Sequence, residues 1–169
     1  MVTILLRILH VVTGAVWVGA VFVVTFFLLP SIRASGPSGG VVMKQLVGVR
    51  KLPIVILILG WISILSGLTL YLRDSMGGTN GWNGSPTGIT FGIGGLLGLV
   101  GGLVGTFWTR PVATRMAAVG AELQGAGTPP PANLVAELAR LQESAAKASK
   151  TTAFFLIGAV FAMSIARYM

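Results

Sequence analysis

Apolar residues dominate four long stretches of the chain, and polar residues collect between them. Ile8 to Leu29, Leu52 to Leu72, Ile89 to Trp108 and Thr151 to Tyr168 run for 22, 21, 20 and 18 residues. A hydrocarbon core about 30 Å thick is crossed by a helix of about 20 apolar residues. None of the stretches shows the two-residue alternation of a membrane-barrel strand. The pattern predicts an all-α, multi-pass integral membrane protein. Residues 1–169 form one four-helix bundle, with helices over about 4–29, 52–73, 88–108 and 151–168. The first stretch is too long for a cleavable leader, and Pro30-Ser31-Ile32-Arg33 follows it as a stop rather than a cleavage site.

The polar interval before the last stretch has its own period. Val112, Met116, Val119 and Leu123 recur at helical spacing, as do Leu134, Leu138, Leu141 and Ala145. Between them lies the turn sequence Gly125-Ala126-Gly127-Thr128-Pro129-Pro130-Pro131. This predicts extensions of the third and fourth helices, each of about 15 residues and roughly 22 Å. They pair as an antiparallel hairpin over about 109–150, and Pro111 kinks or restarts the first limb. The stripes could instead meet a partner protein, or the second limb could lie on the membrane surface. Their equal length favours the hairpin. Ser35 to Gly40 reads as a turn leading to a short surface helix that ends near Lys51. Asp74 to Thr87 reads as a polar loop with Trp82 as an interfacial anchor.

Charge adds an orientation. Only 9% of residues are charged, against about 25% in soluble domains, and the mean hydropathy is +0.88. The net charge of +8 is unevenly placed. Of 12 basic residues, Arg33, Lys44, Arg50, Lys51, Arg110, Arg115, Arg140, Lys147 and Lys150 fall in two loops; Arg7, Arg73 and Arg167 fall on the other side. The positive-inside rule then predicts a cytoplasmic hairpin and both termini outside; the expected location is the inner (cytoplasmic) membrane. The charge reads as a topology signal in contact with a lipid bilayer, not as a nucleic-acid footprint.

The third stretch is rich in glycine. Gly94, Gly98 and Gly102 recur every four residues, a row that lets helix backbones approach closely. Packing within the bundle is the simpler reading. The same row could hold a membrane-protein partner or a second copy of the chain.

Little catalytic chemistry is on offer. The acids are Asp74, Glu122, Glu137 and Glu143, all outside the apolar stretches, and there is no cysteine. No phosphate loop, nucleophile elbow or zinc motif is present. Whether the chain is an enzyme is left open by these residues, with a non-enzymatic role the simpler expectation. One residue stands apart: His10 is the only histidine and lies inside the first apolar stretch. An intramembrane ionisable group is a functional candidate. Gly14 and Trp17 share its helix face, with Gly14 leaving room beside the imidazole. On the fourth stretch Met163 precedes Arg167 by four residues, and Arg7 precedes His10 by three. Both donors thus lie about one turn below an arginine, at matching depth. Haem iron accepts histidine and methionine, and arginines suit its propionates. The candidate cofactor-binding set is His10, Met163, Arg7, Arg167, Gly14 and Trp17, with His10 and Met163 on the metal. The plainer readings are an interhelical hydrogen bond for His10 and bundle packing for Met163 and Trp17.

At Leu9-His10 and Trp17-Val18-Gly19 the chain resembles small bacterial membrane proteins of the CopD-like and HemJ-like group. The stretch from Gly98 to Thr109-Arg110-Pro111 looks most like their uncharacterised integral membrane relatives. The resemblance implies a four-helix bundle with haem b or copper as a possible ligand. In the HemJ-like proteins the first-helix histidine holds haem b, and His10 matches that position. No second histidine is present, so the resemblance implies cofactor binding for electron transfer or as a redox accessory, rather than the oxidase reaction. The CopD-like side implies copper handling through His10 with Met76, Met163 and Met169. A structural accessory subunit of a membrane complex is the reading from a different class.

Overall fold

Five helices carry nearly all of the chain. The computed structural model describes residues 1–77, 81–127 and 129–169; Gly78, Thr79 and Asn80 of the polar loop and Thr128 of the hairpin turn lie outside the described residues. Helix α1 spans Val2–Ala34, α3 Leu52–Gly77, α4 Pro86–Gly125 and α5 Ala132–Tyr168. The shorter α2 covers 37–49. The four long helices are all apolar enough to cross a membrane. Their outer faces carry large apolar side chains, including Ile4, Ile8, Phe27, Leu65, Phe107, Phe154 and Phe161, each more than half exposed. Water would penalise so continuous an apolar surface, whereas lipid chains solvate it.

The helices run longer than the apolar stretches. Helix α1 continues through Pro30 to Ala34, and α4 continues through Pro111 to Gly125. A proline ring collides with the carbonyl four residues earlier. Both sites are preceded by a widened, π-helical turn, Val24–Leu28 and Gly105–Thr109. There the Leu29 N–H reaches back to Val24 and the Arg110 N–H to Gly105. The wider turn makes room for each ring, so Pro111 bends a continuous helix instead of starting a new one. The break after α1 comes at Gly36, whose φ of 56° admits the reversal into α2. Lys51, at φ 53°, takes the same left-handed conformation between α2 and α3.

The long helices form two close pairs, α1 with α3 and α4 with α5. The pairs meet at a core of Trp17, Val21, Ala153 and Leu156, with Ile56, Leu59 and Ile64 packed around it. Trp61 Nε1 donates to Thr106 Oγ1 at 3.1 Å, tying α3 to α4. Thr25 Oγ1 donates to the Ser149 carbonyl at 3.4 Å, tying α1 to α5 nearer the hairpin.

The hairpin is formed as its stripes predict. Met116 and Val119 on α4 and Ala145 and Ala148 on α5 are buried, and Val119 is fully enclosed. Arg115 clips the limbs together, with Nε 2.7 Å from Glu137 and an Nη 3.5 Å from Glu122. These ion pairs are about half exposed and add little to stability. The apolar seam holds the limbs.

Within the bundle the glycine row divides. A Cβ on Gly94 would fall 2.8 Å from Met163 Cγ, and one on Gly101 would fall 2.9 Å from Leu156 Cδ2, so both face α5. A Cβ on Gly102 would fall 2.5 Å from Ile64 Cδ1 of α3. At Gly98 it would meet nothing within 4 Å. Close approach thus serves intramolecular packing at Gly94, Gly101 and Gly102, and Gly98 is not in tight contact.

Candidate functional site

The antiparallel pair α1/α3 sets large groups on one helix against small groups on the other. Trp17 rests on Gly60, Gly14 faces Ser63, and His10 rests on Gly67. Each step along α1 is answered by a step back along α3. A Cβ on Gly60 would sit 2.6 Å from the Trp17 ring, and one on Gly67 would sit 2.6 Å from His10 Cε1 and 2.7 Å from Nδ1. The imidazole therefore lies in a notch that only glycine leaves open.

Hydrogen bonds fix the ring in that notch. His10 Nδ1 lies 2.8 Å from the backbone carbonyl of Ser63. A carbonyl only accepts, so Nδ1 carries the proton and donates it. Ser63 Oγ donates in turn to the His10 carbonyl at 3.1 Å and lies 3.3 Å from Nδ1. The Ser63 carbonyl is shared with the hydroxyl of Ser66, which donates at 3.0 Å. With Nδ1 engaged, the lone pair of the neutral ring is on Nε2. That nitrogen takes no hydrogen bond among the described residues and is not enclosed in the core. A histidine that donates one ring N–H to a backbone carbonyl and presents the other nitrogen is arranged as a metal ligand is arranged.

The other candidates divide between this notch and elsewhere. The room left by Gly14 is taken by Ser63 Oγ, which would lie 2.8 Å from a Cβ there. Trp17 is 6% exposed and belongs to the central core, two turns from His10. Met163 is half-buried and packs against Gly94 of α4, so the two proposed donors are engaged by different helices. Their depths nonetheless agree. Trp17 and Leu156 share the core, and His10 and Met163 each lie seven residues from it toward the chain termini, a rise of about 10 Å on each helix. Arg7 and Arg167 are exposed at that same end and join no ion pair among the described residues. No group of three or more His, Cys, Asp or Glu side chains gathers among the described residues.

Ser63 and Gly67 are the functional neighbours that the first helix alone does not reveal. A signal was present: Gly60, Ser63 and Gly67 lie at i, i+3 and i+7, a small-residue face suited to bulky partners. Which helix it would meet depends on the pairing of α1 with α3, which spacing within either helix does not specify. Comparison with protein-family models, curated proteins and solved structures finds no match.

Proposed function

We propose that this chain is a small membrane protein that holds haem b through His10 Nε2 and serves electron transfer or a redox accessory role. The observation that carries the reading is the Nδ1–H bond to the Ser63 carbonyl, which leaves Nε2 as the free donor. Ser63 orients the ring, and Gly67 admits the ring against α3. Met163, at similar depth on α5, is the candidate second ligand. Arg7 and Arg167 supply positive charge for two propionates at the same end. Haem b, when bound, would supply one-electron chemistry. The basic loops and the hairpin face the cytoplasm in this reading, and His10 lies toward the outer face of the inner membrane. The resemblance of Leu9-His10 and Trp17-Val18-Gly19 to the CopD-like and HemJ-like group fits the same assignment.

The absorption spectrum of protein purified from haem-replete cells tests it. A Soret band is expected. A colourless protein that carries copper in stoichiometric amount would favour copper handling. One that carries neither would favour a structural accessory subunit.

A further inference from the structure

The opposite end of the molecule holds a large open space. A cavity of about 940 Å³ lies between the last turns of α1, helix α2 and the hairpin. Its size falls in the upper range of small-molecule sites. Arg33, Lys44 and Lys150 line it, together with Gln124 and Gln142, and no carboxylate is among its lining residues. None of the three cations joins an ion pair among the described residues, where Arg115 and Lys147 pair with Glu122, Glu137 and Glu143. Lys147, bonded to Glu143 at 2.7 Å, and to a lesser extent the Arg33 charge hold the Glu143 carboxyl below its ordinary range.

Apart from Thr25, the rest of the wall is apolar or glycine. A second, smaller cavity of about 120 Å³ lies deeper in the bundle, where Trp17, Gly60 and Trp61 line it. The two share Thr25, Leu29, Ile32, Met43, Met116 and Ala145 as walls. From Arg33 to Thr25 the α1 wall descends eight residues, about 12 Å, from charge toward a mostly apolar space whose lining also includes Thr109, Arg110, Ser149 and Thr152. Such a profile has two chemical demands: an anion at the mouth and a hydrocarbon chain behind it.

We infer that this cavity is a binding site for an anionic amphiphile, with a phosphate or carboxylate headgroup at Arg33, Lys44 and Lys150 and an acyl chain running along Leu29 and Met116 toward Trp17. The inference is independent of His10. It goes beyond a general attraction of basic loops to anionic lipid, because the chain must enter a defined cavity. Gly120 separates the two ideas. It lines the cavity, and a Cβ on it would meet nothing within 4 Å, so a larger side chain there fills the space without removing charge.

Native mass spectrometry of the detergent-solubilised protein tests the site with four probes. These are phosphatidylglycerol, phosphatidylcholine with the same chains, a long-chain fatty acid, and glycerol phosphate. At least one of the two anionic amphiphiles should bind at least about tenfold more tightly than phosphatidylcholine, and glycerol phosphate should not bind measurably. Which of the two binds more tightly identifies the source of the headgroup. Gly120→Leu should weaken the anionic amphiphile at least about fivefold, while Gly125→Leu, outside the cavity, should not. Arg33→Gln and Lys150→Gln should each weaken it about fivefold. Equal binding of phosphatidylcholine and both anionic amphiphiles would overturn the inference. So would anionic binding that Gly120→Leu leaves unchanged in a folded protein, since that is surface attraction alone. If Gly120→Leu does not fold, the two charge variants and the chainless probe decide: unchanged affinity in both variants, or tight binding of glycerol phosphate, refutes the site.

Discussion

His10 Nδ1 stands 2.8 Å from the carbonyl oxygen of Ser63, fifty-three residues away in sequence, and the ring rests where Gly67 has no side chain. This contact is among those that join α1 to α3, and it selects the ring nitrogen that remains free. Because His10 is the only histidine, a single ¹⁵N-labelled imidazole reports on it without overlap. In the neutral ring, Nδ1 should give the protonated signal and Nε2 the unprotonated one. Gly67→Ala places a methyl where the ring lies, so the tautomer should become mixed. A wild-type ring protonated at Nε2 alone would contradict the bond to Ser63.

The small residues opposite Trp17 and along α4 should differ sharply in tolerance. Gly60→Ala drives a methyl group into a buried, rigid indole and should cost about 1–3 kcal/mol. Gly98→Ala meets nothing and, with alanine's better helix propensity, should be neutral or stabilising by up to about 1 kcal/mol. Thermal unfolding in detergent measures both. Equal losses at the two sites would mean that the α1/α3 pairing differs from the one described. Loss of an oligomer at Gly98 without loss of stability would place a second copy on that face.

The hairpin should behave as a packed unit. Val119 is fully enclosed, and Val119→Asp buries a charge with no partner. Limited proteolysis within residues 110–125 and 132–150 should accelerate about tenfold or more, with the bundle still in the membrane fraction. If the wild-type segment is already cut as fast as an unstructured peptide, the limbs do not pair.

Orientation is open to a clean labelling test, because the chain has no cysteine. Ser38 and Asn83 are exposed at opposite ends of the bundle. In intact cells an impermeant maleimide should leave Ser38→Cys unlabelled and should label Asn83→Cys. The reverse pattern would put the hairpin outside.

Much of this architecture is legible in residue order, and the reasons are specific. Helix number follows from stretches long enough to cross lipid, and the hairpin follows from two stripes around a Gly/Pro turn. The helix ends were longer than the hydropathy implied because a widened turn can absorb a proline, as at Pro30 and Pro111. A helix-breaking residue carries no mark of that accommodation. The site was half legible. His10 stood out as an isolated polar group, but its partner is a backbone carbonyl, which every residue possesses. Gly14 read as open space, and Ser63 fills it. The cavity at Arg33, Lys44 and Lys150 was hidden further, since it needs α1, α2 and the hairpin in place before three scattered cations surround one space.

The central claim is that His10 Nε2 is a haem ligand. Its most direct test is the haem-to-protein ratio of wild type and His10→Ala, purified in parallel from haem-replete cells and read from the Soret band. Wild type should approach one haem per chain, and His10→Ala should insert normally with the band lost. A wild-type protein without Soret absorbance, or a His10→Ala protein that keeps the band unchanged, would contradict the account.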